Sequence, residues 1–162
     1  MAGATQIDCD RTKKITRMNR RCIGTVVILL AASLLAFGRQ ETLEQLMARA
    51  DSAPTEKQAD LCVKVADREL KLTVAAYEAN KPDQGRSALE QIVKYSDKAH
   101  AAAIQTGKKL KHTEIGLRKI SERLRDLKLN ANADDQPVIQ RAIDKLESFR
   151  TELLHSMFGL KK

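Results

Sequence analysis

Apolar and small residues recur every three or four positions between Asp83 and Leu127. This spacing lines one face of a helix, and charged residues occupy the opposite side. The pattern predicts one long amphipathic helix of roughly 68 Å, around which the rest of the chain is organised. Gly107 and Gly116 are the expected points of bending, because each glycine costs about 1 kcal/mol relative to alanine in a helix interior.

Further helices are predicted on both sides of the long one. A short helix covers residues 41–50, and two longer helices cover 56–79 and 137–157. At roughly 36 and 32 Å, the two longer ones together match the length of the central helix. We therefore expect an all-α fold of three long helices and a short N-terminal one, with antiparallel helical hairpins packed on the long central helix. An elongated arrangement is favoured, and the alternative is a bend at Gly107 that closes a bundle.

The first part of the chain has the pattern of an export signal. Arg20 and Arg21 precede the apolar run of residues 22–37, which ends next to a small residue. This combination is typical of a secretory signal peptide, and it predicts cleavage between Gly38 and Arg39. The apolar run is shorter than the roughly 20 residues that a membrane-spanning helix needs.

We therefore expect residues 1–38 to be a signal peptide and residues 39–162 to be a single exported helical domain, in the periplasm or secreted. The alternative is an inner-membrane protein anchored by an uncleaved segment 22–37, with its helical domain outside the cytoplasm. Because residues 1–17 are long and mixed in charge for the basic part of a signal peptide, we also expect translation to start at Met18.

Cysteine use agrees with this interpretation. Cys9 and Cys22 precede the predicted cleavage point, so only Cys62 remains and no internal disulfide is expected in the mature chain. We expect Cys62 to be a small buried residue on a helix. An intermolecular disulfide or a reactive thiol is the alternative.

The net charge of +8 arises from 29 Lys and Arg against 21 Asp and Glu. Half of it belongs to the segment before Arg39, so the remaining surface is only mildly basic. Aromatic residues make up 3% of the chain, too few to stack on bases, and export would separate the protein from the genome. No nucleic-acid partner is expected.

One stretch of the long helix is more basic than its surroundings. Its cations form a candidate face for an anionic partner such as a lipid headgroup or an acidic polymer. The residues of this predicted basic face are Lys108, Lys109, Lys111, Arg118 and Lys119. An ordinary solvated helix face is the simpler interpretation.

Two carboxylate-x-x-His pairs, Asp97 with His100 and Glu152 with His155, have the spacing used in dimetal sites of helical bundles. The helical repeat places His155 away from the apolar stripe and His100 beside it, so we expect an exposed His155, a partly buried His100 and no metal site. The sequence contains no nucleophile with a base in motif spacing and no glycine-rich phosphate loop. We expect no catalytic residue, no cofactor and no enzyme activity.

The run from Leu110 to Lys119 and the turn Asp134-Asp-Gln-Pro137, together with the signal peptide, resemble uncharacterised exported helical-bundle proteins of bacteria. The resemblance covers most of the mature chain and implies no activity or functional residue. We expect a non-enzymatic interaction or structural protein of the cell envelope that binds a protein partner or its own copy. The wide apolar arc of residues 59–77 supports this reading. The alternative is a module that binds an anionic envelope component through the predicted basic face.

Overall fold

The computed structural model describes residues 41–159, and this part of the chain is helical without any strand. Its helices are α1 (Leu43–Ser52), α2 (Thr55–Glu78), α3 (Pro82–Thr106), α4 (Leu110–Asn130) and α5 (Gln136–Phe158). The predicted all-α class is confirmed for these residues. The predicted signal peptide, its cleavage site between Gly38 and Arg39, and the segment 22–37 lie outside the described residues.

Local signals in the sequence set most helix boundaries. At α1 the Thr42 side chain accepts a hydrogen bond from the Gln45 backbone N–H at 3.3 Å, and the Gln45 side chain accepts one from the Thr42 N–H at 3.2 Å. This reciprocal pair satisfies two backbone donors that the first helical turn leaves free. Pro82 and Pro137 lie in the first turns of α3 and α5, where the missing N–H of proline costs no helical hydrogen bond.

The prediction of one unbroken helix from Asp83 to Leu127 is wrong. In the structure α3 ends at Thr106 and α4 begins at Leu110. Gly107 has a φ of +64° and Lys109 a φ of +62°, and a right-handed helix cannot continue through residues in this left-handed conformation. The interruption falls at the first of the two glycines that the sequence indicated.

The four longer helices form a bundle. Among the described helices, α2 packs on α3 and α4, α5 packs on α3 and α4, and α2 does not contact α5. Since α4 returns along α2 instead of extending α3, the elongated arrangement is not adopted. Lys108 contacts Glu56, and Gly116 contacts Val63, so the contacting residues are separated by nearly the same number of positions at both places. This nearly constant separation establishes that α2 and α4 run parallel.

The bundle core is aliphatic, with one tyrosine among its fully buried large side chains. Tyr95 is 2% exposed, and its hydroxyl donates a hydrogen bond to Asp51 at 3.2 Å. Cys62 is buried as predicted, and burial raises the pKa of its thiol to about 11. Most of the apolar arc of α2 is buried in the bundle. Leu72, which is 50% exposed, is the one large apolar side chain of α2 that is exposed.

Candidate functional site

Two of the five residues in the predicted basic face are engaged inside the chain. Lys108 Nζ lies 2.8 Å from Glu56 Oε1, and Lys109 Nζ lies 3.1 Å from Asp60 Oδ2. His112 Nε2 lies 3.6 Å from the other oxygen of the same aspartate. These exposed pairs are individually weak, but together they align the start of α4 with the start of α2.

The other three residues of the predicted face are exposed and make no ion pair within residues 41–159. Lys111 and Arg118 are seven residues apart and share one side of α4. Lys119 faces the seam between α4 and α2, where it lines a groove. The predicted basic face is therefore divided, because Lys111 and Arg118 lie on one side of α4 whereas Lys119 lines the groove.

The seam between the parallel helices α2 and α4 is an open groove, called here the α2–α4 groove. It has two adjoining parts that share Asp67, Lys71 and Lys119. The side chains of Leu46 and Arg49 from α1 close one end of it. Along α2 the groove extends over residues 63–78, or roughly 22 Å.

The floor of the groove is apolar, and a glycine sets its depth. A Cβ atom on Gly116 would lie 2.6 Å from Val63 Cγ1, so the absence of a side chain lets the two helices approach closely. Gly116, the second predicted bend, therefore serves helix packing inside α4. Partly buried Ile115 and Val74 continue the floor on α4 and α2.

Charged side chains separate by sign along the groove. The end nearest α1 carries Lys64, Arg68 and Lys119, none of which pairs with a carboxylate in the described residues. The one carboxylate confined to this end, Glu41, is paired with Arg49 at 3.1 Å, and its backbone carbonyl accepts a hydrogen bond from Arg68 at 2.6 Å. Beside Lys119, the shared middle of the groove adds no net charge, because Lys71 Nζ lies 3.0 Å from Asp67 Oδ2.

The far end has an excess of carboxylates, with Arg123 as the one cation among its lining residues that the central part does not share. Its acidic residues are Glu78, Glu122 and Asp126, all exposed. One groove thus presents a basic end and an acidic end over about 22 Å. An arrangement of this kind can recognise a partner and also fix the direction in which it binds.

Sequence reasoning missed the contribution of α2 to this site. Lys64, Arg68 and Lys71 are spaced by four and three residues, so the helical period indicates that they share a face. Nothing in the period shows that this face lies beside Lys119, because that neighbourhood depends on α4 turning back at Gly107.

The carboxylate-x-x-His pairs do not assemble as two sites. His100 Nε2 lies 3.2 Å from Glu152 Oε2, and its ring stacks on Phe149 with centroids 5.0 Å apart. His100 is partly buried as predicted, whereas His155 is also partly buried and not exposed as the helical repeat predicted. Within residues 41–159 no group of three or more His, Cys, Asp and Glu side chains is placed to hold a metal ion.

A second polar cluster joins α4 to α5 and lies outside the groove. Arg150 donates to Glu114 at 2.8 Å and to Glu147 at 2.6 Å, and Arg125 donates to Glu147 at 2.8 Å. Burial alone would raise the pKa of Glu147, but hydrogen bonds from Ser121 and Arg150 hold it below its ordinary value. Because these groups satisfy one another, the cluster stabilises the α4–α5 pairing.

Comparison of the chain with protein-family models, curated proteins and solved structures gives no match. In the described part of the chain, no helix combines the length and apolar character needed to cross a membrane.

Proposed function

We propose that the protein is a non-enzymatic helical interaction protein that binds a protein partner in the α2–α4 groove. The observation that supports this proposal is the set of cations at the α1 end, Lys64, Arg68 and Lys119, which have no carboxylate partner within residues 41–159 and lie beside an apolar floor. By contrast, Lys108 and Lys109, in the turn before α4, already have carboxylate partners. Unpaired charges beside apolar surface are suited to recognition by a complementary surface.

The kind of side chain in the groove supports binding over catalysis. Its charged groups are mostly exposed to water, and a solvated lysine or carboxylate recognises charge without a dry cavity. Acid–base or nucleophilic catalysis usually relies on groups held away from bulk water.

The proposal can be tested by placing a photo-crosslinking amino acid at Ala75, which is exposed in the groove, and at Ala101, a matched exposed alanine of α3. We expect irradiation of expressing cells to give a product heavier than the monomer from position 75 only. Charge reversal at Lys64 and Lys119 is expected to reduce that product. Failure to form it, or equal products from both positions, would contradict the proposal.

We further propose that this binding takes place outside the cytoplasm, in the cell envelope. The support is the basic and apolar pattern that ends at Gly38. An intact mass from fractionated cells tests it. A soluble envelope species that begins at Arg39 is expected, whereas a membrane-bound species that retains Met18 would favour an anchored protein.

A second candidate function is binding of an anionic envelope component by the part of the predicted basic face that has no ion pair in residues 41–159. Lys111 and Arg118 are exposed on one side of α4, and Lys119 adjoins them. Sedimentation with anionic vesicles at low and high salt tests this function, because salt screens exposed charges. If the Lys111→Glu/Arg118→Glu variant binds as well as the unaltered protein, the candidate is excluded.

A further inference from the structure

We propose that the partner of the α2–α4 groove is the same groove of a second copy of this chain, related to the first by a two-fold axis. This inference rests on the proposed function above and names its partner. The geometry points to self-association because the groove is basic at one end and acidic at the other.

The register of α2 and α4 fixes where the charges lie. The contacts Glu56–Lys108 and Val63–Gly116 pair residues with a nearly constant offset along the two parallel helices. On this register Lys119 lies beside residue 67 of α2, and Asp126 lies beside residue 74. The central Lys71, paired with Asp67, lies midway along α2 between Lys64 and Glu78.

A two-fold axis in the interface plane, perpendicular to the helices at the level of Lys71, reverses the groove of the second copy. It sets α2 against α2 and α4 against α4 in antiparallel orientation. Lys64 and Glu78 are each seven residues from Lys71, so Lys64 of one copy faces Glu78 of the other. On α4 the same operation places Lys119 opposite Asp126.

Each copy supplies both partners of these pairs, so two opposed grooves form each pair twice. A two-fold axis parallel to the helices would instead set basic end against basic end. Near the axis Lys71 and Arg123 face their own counterparts, and the charge of Lys71 is balanced by Asp67. The pairs at the two ends therefore favour the antiparallel dimer over the alternative and define its register.

The size of this surface predicts a reversible dimer. Two adjacent helices present a face roughly 20 Å wide and 22 Å long, which lies at the low end of specific interfaces. Its apolar part includes Ile115, Val74 and Ala75. We expect association that depends on protein concentration and weakens with salt.

Two complementary charge reversals test the dimer by sedimentation velocity. The acidic-groove variant is Lys64→Glu/Lys119→Glu, and the basic-groove variant is Glu78→Lys/Asp126→Lys. Each variant alone sets like charges against each other, so we expect its self-association to weaken at least tenfold. An equimolar mixture brings opposite charges together in every pair, and we expect it to associate again.

The matched control is Arg141→Glu/Lys145→Glu on α5, which has no contact with α2 in the described structure. Circular dichroism verifies that all variants fold, and the control is expected to associate like the unaltered protein. The inference is overturned if the unaltered protein is monomeric at every concentration, or if the mixture does not associate. Crosslinking of Ala75 to a different protein would overturn self-association while leaving the proposed function intact, whereas no crosslink at Ala75 would contradict both.

Discussion

Gly116 on α4 and Val63 on α2 are in direct contact, and a Cβ at the glycine would lie 2.6 Å from the Val63 Cγ1 atom. This contact sets the spacing of the two helices that form the groove. It also ties the stability of the bundle to the geometry of its candidate site.

We expect Gly116→Ala to destabilise the protein by roughly 1–2 kcal/mol. The added methyl group overpacks the α2–α4 contact, and this cost exceeds the gain of up to about 1 kcal/mol from the better helix propensity of alanine. Urea denaturation measures the change. In a Val63→Ala background the overlap is absent, so Gly116→Ala should cost less there than in the unaltered protein, and an equal cost in both backgrounds would contradict this explanation.

Gly107 is expected to respond to substitution for a different reason. In the described part of the chain, no atom of a more distant residue lies within 4 Å of a Cβ built at this position, but its φ of +64° is unfavourable for residues with a side chain. Gly107→Ala should therefore cost about 1 kcal/mol, and Gly107→Asn less, because asparagine tolerates the left-handed conformation better. Equal thermal stability of the alanine variant and the unaltered protein would show that the turn does not depend on this conformation.

These two glycines show what the sequence could and could not predict. The helical period and the turn residues identify helices, and Gly107 is recognisable as a break. Whether the chain bends or reverses there depends on which faces of α2 and α4 fit together, and local sequence does not contain that information. The tight contact at Gly116 was missed because Val63 is far from it in sequence.

The same limit applies to the candidate site. Sequence patterning assigned Lys108 and Lys109 to a free basic face, yet both have partners on α2. Lys64 went unnoticed because its significance comes from lying in one groove with Lys119, which the fold alone brings about.

Arg150 holds two carboxylates at the α4–α5 interface, and its side chain is 15% exposed. We expect Arg150→Ala to destabilise the protein by roughly 2–3 kcal/mol, because it leaves the buried Glu114 without its cation, whereas Glu147 keeps its ion pair with Arg125. Lys71→Ala removes an exposed ion pair and serves as the control, with an expected effect below about 1 kcal/mol. Similar losses of unfolding free energy for Arg150→Ala and Lys71→Ala in urea denaturation would contradict this explanation.

Cys62 is expected to be unreactive in the folded protein. It is fully buried, and burial raises the pKa of its thiol to about 11, so little thiolate forms near neutral pH. Modification by iodoacetamide at pH 8 should be slow in buffer and rapid in denaturant, as followed by intact mass. Rapid modification of the folded protein would instead support the reactive-thiol alternative.

Replacing Glu69 or Glu147 by glutamine should change the free energy of unfolding at neutral pH in opposite directions. Burial, with a smaller effect of Glu44, raises the pKa of Glu69 above its ordinary 4.5. The folded state therefore binds the Glu69 proton more tightly than the unfolded state does, and the ionised group destabilises the fold as pH rises through that raised pKa. Glu69→Gln should thus stabilise the protein at pH 7, and the gain should disappear below pH 4.5.

The pKa of Glu147 is lowered, so its stabilising effect is present above its ordinary 4.5 and is lost as pH falls through the folded-state value. Glu147→Gln should therefore destabilise the protein at pH 7 and have less effect in acid. Free energies of unfolding from urea titrations between pH 3 and pH 8 compare the two variants directly. If both substitutions change the free energy of unfolding at pH 7 in the same direction, then the pKa of Glu69 or of Glu147 is shifted in the opposite direction to the one stated.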